Sequence, residues 1–186
     1  MLRRTLVVSA LVAAMAIVGS STAFASSVHL KGGSHAEPSF TDNGLTLTAS
    51  GALAGLGNGD VVVTMSAQAD VTATCSNPSQ DGVHQPPGQN PAPITVTGSS
   101  TIPASEIKNG TTPFTVTTEP PETPIAGAPD CANPNWTEDI TNLAFTSATI
   151  TVEQPEGTLV LTVECTFSSP TSDGSVPGNN VTCVQS

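Results

Sequence analysis

The chain has 186 residues and a formal net charge of −11 at pH 7, from 4 basic and 15 acidic residues. Proteins bind nucleic acid mainly by neutralising phosphates with Lys and Arg, so we expect no nucleic-acid partner and no affinity for anionic lipid surfaces. Aromatic residues make up only 3% of the chain, so the core is expected to consist of Val, Leu, Ile and Ala.

The first 25 residues have the pattern of a secretory signal peptide. Arg3 and Arg4 begin it, an apolar stretch runs from residue 6 to 18, and Ala23-Phe24-Ala25 is typical of a cleavage site. The stretch is shorter than the roughly 20 residues of a membrane-spanning helix. The general secretory route is preferred over twin-arginine export, which the residues after Arg4 do not strengthen. We therefore predict a secreted, extracellular protein without membrane contact after cleavage.

Residues 26–186 are long enough for one domain, within which residues 26–43 form a candidate mobile N-terminal segment. Apolar residues alternate with polar ones along Gly44–Leu53 and again along Val61–Cys75. A two-residue period predicts β-strands with one buried face, and the second run predicts one long strand or two strands joined by a bend. Asn58-Gly59 lies between the two runs, which predicts a hairpin.

Further strands are predicted downstream, and no part of residues 26–186 has a convincing helical period. These strands are residues 94–98, 114–118, 143–152, 158–167 and 181–184. Seven to nine strands separated by turn signals indicate an all-β fold, an antiparallel β-sandwich of immunoglobulin-like architecture. Three long proline-rich loops, at residues 76–93, 119–135 and 168–180, are the predicted contact region.

The exported chain contains four cysteines, which predicts two disulfides. They are Cys75, Cys131, Cys165 and Cys183. Two segments repeat weakly, each with a strand, a Pro/Gly loop and a return strand. If the second is a hairpin, Cys165 lies opposite Cys183, while the first segment has Gly98 near the matching place. We therefore predict Cys75–Cys131 and Cys165–Cys183. Zinc is disfavoured because no pair has the Cys-x₂₋₄-Cys spacing.

No catalytic residues are assigned, because the chain lacks the Gly-x-Ser-x-Gly, His-Glu-x-x-His and phosphate-loop motifs. His29, His35 and Glu37 could gather a metal, but solvated histidines are the preferred interpretation. Carboxylates are an alternative calcium site. Glu138 and Asp139 follow Trp136, and three aspartates lie beside a turn glycine, namely Asp60, Asp81 and Asp173. Asp-Gly is also ordinary turn chemistry, so no cofactor or metal is predicted.

A candidate ligand rim follows the second long loop. It consists of Trp136, Glu138 and Asp139. Aromatic residues supply much of the binding energy at interfaces, which favours a role for Trp136 in ligand contact. The alternative is a tryptophan that packs under its own loop.

Short motifs are spread over most of the mature chain. They are Gly55-Leu-Gly-Asn-Gly-Asp-Val-Val-Val-Thr, Cys75-Ser-Asn-Pro, Pro87-Gly-Gln-Asn-Pro, Ile102-Pro and Asn109-Gly. By these motifs the chain resembles a group of small secreted β-rich proteins of high-GC Gram-positive bacteria that has no assigned activity. In composition it is also similar to the apoproteins of enediyne antibiotics, acidic β-sandwiches with two disulfides that hold a hydrophobic chromophore.

The leading functional hypothesis is a secreted, non-enzymatic binding or surface-structural protein. Its expected partner is cell wall, polysaccharide, a protein or a small molecule. One alternative is a carrier of a small hydrophobic molecule, which needs a cavity. Another is a secreted protease inhibitor that presents the loop containing Cys131.

Overall fold

The structure, a computed structural model, describes residues 27–77, 84–85, 91–108 and 110–186. The described chain forms two antiparallel β-sheets that pack as a sandwich and contains no α-helix. Its strands are β1 (His29–Leu30), β2 (Ser39–Asp42), β3 (Leu47–Ala54), β4 (Val61–Ser76), β5 (His84–Gln85), β6 (Ile94–Ile102), β7 (Thr112–Thr117), β8 (Ile125–Ala126), β9 (Thr137–Glu153), β10 (Leu159–Phe167), β11 (Gly174–Ser175) and β12 (Val181–Gln185). The predicted signal peptide, residues 1–25, lies outside the described residues.

The all-β sandwich that the sequence predicts is confirmed. In the first sheet, β3 pairs with β7 along one edge and with β1 and β2 along the other, and β11 lies beyond β2. In the second sheet, β4 and β9 form the centre, flanked by β6 and β5 on one side and by β10, β12 and β8 on the other. No described helix is long and apolar enough to cross a membrane.

The segment of residues 26–43 contributes β1 and β2 to the first sheet. Their alternation buries Leu30 and Phe40 and leaves His29 and Ser39 exposed. The ring of Phe40 packs edge to face against the ring of Phe167, which belongs to the second sheet. The ring centroids are 5.1 Å apart. This pair connects the two layers through one of the few aromatic contacts that the composition allows.

The predicted hairpin at Asn58-Gly59 is wrong, because β3 and β4 belong to different sheets and do not pair. Both edges of β3 are taken by other strands, and so are both edges of β4. Residues 55–60 instead carry the chain from one layer to the other. The glycine-rich turn therefore connects the two sheets of the sandwich. The local sequence does not distinguish such a connection from a hairpin turn.

The strands β4 and β9 pair along nearly their whole length, from Val62 opposite Glu153 to Ser76 opposite Thr137, with register shifts at two points. Strand β6 accompanies β4 only as far as Ala69. Beyond it, residues 70–76 of β4 and 137–146 of β9 continue as a paired extension, which we call the arm; β5 and β8 pair with it at its tip. Seven residues of extended chain reach about 20 Å.

The outer edge of β9 in the arm is occupied by turns from three segments. The Ile140 N–H donates to Thr123 Oγ1 at 2.9 Å, the Leu143 N–H to the Gly44 carbonyl at 2.7 Å, and the Phe145 N–H to Thr171 Oγ1 at 2.8 Å. These bonds satisfy buried backbone donors where no neighbouring strand of the sheet is present.

The backbones of the two sheets come into contact where β6 meets the end of β7. The Glu119 N–H donates to the Thr97 carbonyl at 2.8 Å. A Cβ at Gly98 would overlap the Thr117 carbonyl oxygen and would lie 2.7 Å from the Thr118 Cα. Only glycine fits this crossing of two backbones. The weak repeat placed Gly98 near the position opposite Cys75. In the sheet Gly98 instead pairs with Met65, so this placement is wrong.

Both predicted disulfides are confirmed. Cys165 lies directly opposite Cys183 on β10 and β12, with 4.1 Å between their Cα atoms. The Cys75–Cys131 disulfide joins the tip of the arm to the loop of residues 119–135 across a Cα distance of 5.9 Å. Neither disulfide joins one sheet to the other, which differs from the immunoglobulin arrangement of an inter-sheet disulfide.

Candidate functional site

A cleft opens at the end of the sandwich opposite the arm. It lies between the two connections that cross from one sheet to the other, residues 55–60 and residues 103–111. Its volume is about 490 Å³, and its walls are Leu53, Ala54, Gly55, Leu56, Gly57, Asn58, Ala104, Ile107, Lys108, Gly110, Thr111 and Thr112. A cleft of this size lies within the range of small-molecule sites, about 300–1,000 Å³.

The first wall of the cleft is fixed by Gln154, whose side chain is 4% exposed. The Gly57 N–H donates to Gln154 Oε1 at 2.7 Å, and Gln154 Nε2 donates to the Gly59 carbonyl at 2.7 Å. Gly55 has a φ of +78°, and a Cβ there would overlap the Ser27 carbonyl oxygen. The crossing turn is therefore held from both sides in one conformation.

The second wall is tied to the first and to itself. Asp60 Oδ1 accepts the Ala104 N–H at 2.8 Å, which joins the two crossing connections. Within the second connection, the Ile107 N–H donates to the Ala104 carbonyl and the Lys108 N–H to Thr112 Oγ1, each at 3.3 Å. Because both walls are held by hydrogen bonds within the protein, the cleft is formed before any ligand enters.

The chemistry of the cleft suits binding better than catalysis. Leu53 is buried and Leu56, Ala104 and Ile107 are half-buried; these four residues, which we call the apolar floor, belong to a lining of mixed polar and apolar surface. Lys108 is exposed and is the one titratable side chain among the residues that line the cleft. A threonine hydroxyl without a neighbouring base is a weak nucleophile, so the lining provides no pair for acyl transfer.

The predicted rim residues lie on the arm and not at the cleft. Trp136 is half-buried in the turn before β9, where its N–H donates to the Asn133 carbonyl at 3.1 Å. Glu138 faces the interior of the arm and is 1% exposed. Asp139 lies on the opposite face, where its Oδ2 accepts a hydrogen bond from Ser76 Oγ at 2.8 Å. Glu138 and Asp139 therefore do not share one surface, since successive strand residues point to opposite faces.

Glu138 is a buried carboxyl with an unsatisfied atom. Its Oε2 has no hydrogen-bond partner, and its backbone lies between Cys75 on β4 and Ile125 on β8. Burial raises the pKa of Glu138 above its ordinary value of 4.5, and the nearby charge of Asp130 raises it further, against a hydrogen bond from the Asp130 backbone. The arm thus encloses a carboxyl whose pKa is raised because burial and the charge of Asp130 disfavour its ionised form.

We expect Glu138→Gln to stabilise the protein at neutral pH. The folded state binds the Glu138 proton more tightly than the unfolded chain does. The stability that this bound proton contributes to the wild type is therefore complete below pH 4.5 and is lost as the pH rises through the raised pKa. The variant should gain about 1–3 kcal/mol in unfolding free energy at pH 7 and little at pH 4. Urea unfolding at several pH values measures this. Glu164→Gln, at an exposed carboxylate of β10, is the control.

If the unfolding free energies of Glu138→Gln and of the wild type changed in parallel across this pH range, the raised pKa of Glu138 would be contradicted. Asp130 is the acidic residue that faces Glu138 from the covering loop, whereas Asp139 lies on the other face of β9.

The other metal candidates of the sequence are separated in the structure. His29 Nδ1 lies 2.7 Å from the Ser27 carbonyl, His35 is exposed, and Glu37 Oε1 accepts the Cys183 N–H at 3.3 Å. Within the described ranges no three His, Cys, Asp or Glu side chains come together as metal ligands. Asp81 lies outside the described residues.

The sequence did not predict the cleft, because its walls are two turns distant in the chain that meet only when the sheets stack. Comparison of the chain with protein-family models, curated proteins and solved structures finds no match. The resemblance to small secreted proteins stays a prediction, and the function is argued from the geometry of the site.

Proposed function

We propose that the mature chain is an exported, non-enzymatic binding protein and that the cleft between its crossing connections is the binding site. The signal-peptide pattern and the two disulfides support export. The observation that carries the proposal is the preformed cleft of about 490 Å³ with an apolar floor. A preformed cleft loses little conformational entropy when a ligand binds.

The described parts of the long loops pack against the sheets, which favours the cleft over these loops as the binding region. The Thr171 N–H donates to the Phe145 carbonyl and the Val176 N–H to the Phe40 carbonyl, at 2.9 and 3.0 Å. In the loop of residues 119–135, β8 pairs with β9 and Ala128 is buried. These segments cover the sheets, which also gives less support to a protease inhibitor that presents the Cys131 loop as bait.

A carrier of a small hydrophobic molecule is the form of the proposal that the apolar floor favours. Native mass spectrometry of the protein purified from culture fluid tests it, with added mass of a small molecule as the expected result. Ala104→Phe should remove the added mass, because the ring fills the cleft while the backbone bond to Asp60 is kept. Ala132→Phe, at an exposed position next to Cys131, is the matched control.

Wild-type protein without added mass, or added mass that persists in Ala104→Phe, would contradict the cleft as the binding site. The surface-structural alternative predicts co-sedimentation with cell walls or polysaccharide, which is measured on the same preparation. The inhibitor alternative predicts stoichiometric slowing of a protease panel.

A further inference from the structure

The cleft contains one of the two basic side chains of the mature chain. Outside the signal peptide these are Lys31 and Lys108, against 15 acidic residues. Lys108 is exposed and lines the cleft, and within the described part of the chain no carboxylate forms a salt bridge with its ammonium group. In this acidic protein, the Lys108 ammonium group therefore provides a local attraction for an anion at the cleft.

No acidic residue is among the described residues that line the cleft. The remaining polar side chains of the lining are Asn58 and two threonines, Thr111 and Thr112. The apolar floor of Leu53, Leu56 and Ile107 lies in the same cavity as the lysine. A ligand that fits both features has an apolar chain and one anionic end.

We propose that the cleft binds an amphiphilic monocarboxylate, with its hydrocarbon chain against Leu53, Leu56 and Ile107 and its carboxylate at the Lys108 ammonium group. This inference rests on the proposed function and specifies its ligand class. Burial of the CH₂ groups against the apolar floor contributes affinity, and a charge-assisted hydrogen bond fixes the orientation of the chain.

The lysine of the cleft favours a monoanion over the alternatives. A dianion such as a phosphate monoester meets stronger repulsion from 15 acidic residues, and the mature chain has no arginine for bidentate phosphate recognition. A cationic amphiphile finds no carboxylate in the lining. A neutral amphiphile uses the floor but leaves Lys108 without a partner.

The test compares three probes of equal chain length, octanoate, octanamide and octylamine, by isothermal titration calorimetry on the full mature protein. We expect octanoate to bind at least about tenfold more tightly than octanamide, as a charged hydrogen bond predicts, and octylamine to bind least.

Two lysine variants locate the effect. Lys108→Gln should bring octanoate binding down to the level of octanamide, whereas Lys31→Gln removes the same charge after β1 and should keep the preference. Both positions are exposed, so neither substitution is expected to prevent folding.

Equal binding of octanoate and octanamide by the wild type, or a preference that survives in Lys108→Gln, would overturn the monocarboxylate inference. The proposed function would still stand if native mass spectrometry showed a bound molecule that Ala104→Phe excludes. Absence of binding by all three probes, together with protein free of added mass, would overturn both.

Discussion

Gly98→Ala is expected to lower the free energy of unfolding by about 3 kcal/mol, the upper end of the usual range for overpacking. The new methyl group would overlap the Thr117 carbonyl oxygen, and the Thr118 Cα lies 2.7 Å from its position. Both opposing atoms are backbone, so no side chain can rotate away. Relief requires β6 and the end of β7 to separate, which strains the Glu119–Thr97 hydrogen bond.

Urea unfolding of the two proteins measures this effect as a shift of the transition midpoint. Gly178→Ala is the matched control, since the same methyl group at Gly178 meets nothing within 4 Å. That variant should stay within about 0.5 kcal/mol of the wild type. A Gly98→Ala midpoint equal to that of Gly178→Ala would show that the sheets do not close at this crossing.

Removal of the Cys75–Cys131 disulfide is expected to have the second large effect. The two cysteines are 56 residues apart, and the chain-entropy model gives about 4 kcal/mol for a loop of this length. The paired substitution of both cysteines by alanine leaves no free thiol. Hydrogen exchange should become faster at Ile125 and Ala126, whose backbone pairs with β9 beside the arm tip.

Replacing Cys165 and Cys183 by alanine provides the comparison. Their separation is 18 residues, for which the same model gives about 3 kcal/mol. Because that disulfide lies between two paired strands of the body, its removal should not accelerate exchange at Ile125. Unchanged exchange at Ile125 after removal of Cys75–Cys131 would mean that β8 is held without the disulfide.

The long strands were predictable because each half-buried run alternates on its own. The short strands β1, β2, β5, β8 and β11 were not predicted, and they lie in the N-terminal segment and in the long loops. Val61–Cys75 is one uninterrupted strand, β4, which ends one residue later than predicted. The cysteine pairing was also predictable, since Cys165 and Cys183 lie on paired strands joined by one loop. Periodicity reports which faces are buried, and local pairing follows from short connections.

What the sequence did not predict depends on contacts between distant segments. The turn at Asn58-Gly59 has the same residues in a hairpin and in a sheet crossing, and only the partners of β3 and β4 decide between them. Glu138 was assigned to a ligand rim because it lies two residues after Trp136 in the sequence. It is buried because the loop of residues 119–135 folds over the arm, a contact that no local pattern indicates.

The arm also bears on the solubility of the protein at high concentration. Long, flat strand edges are templates on which other chains add strands and aggregate. On the outer edge of β9, Thr123, Gly44 and Thr171 occupy the amides of Ile140, Leu143 and Phe145. Three unrelated turns thus interrupt the row of donors that a foreign strand would need, and a 17-residue strand is protected against amyloid-like growth.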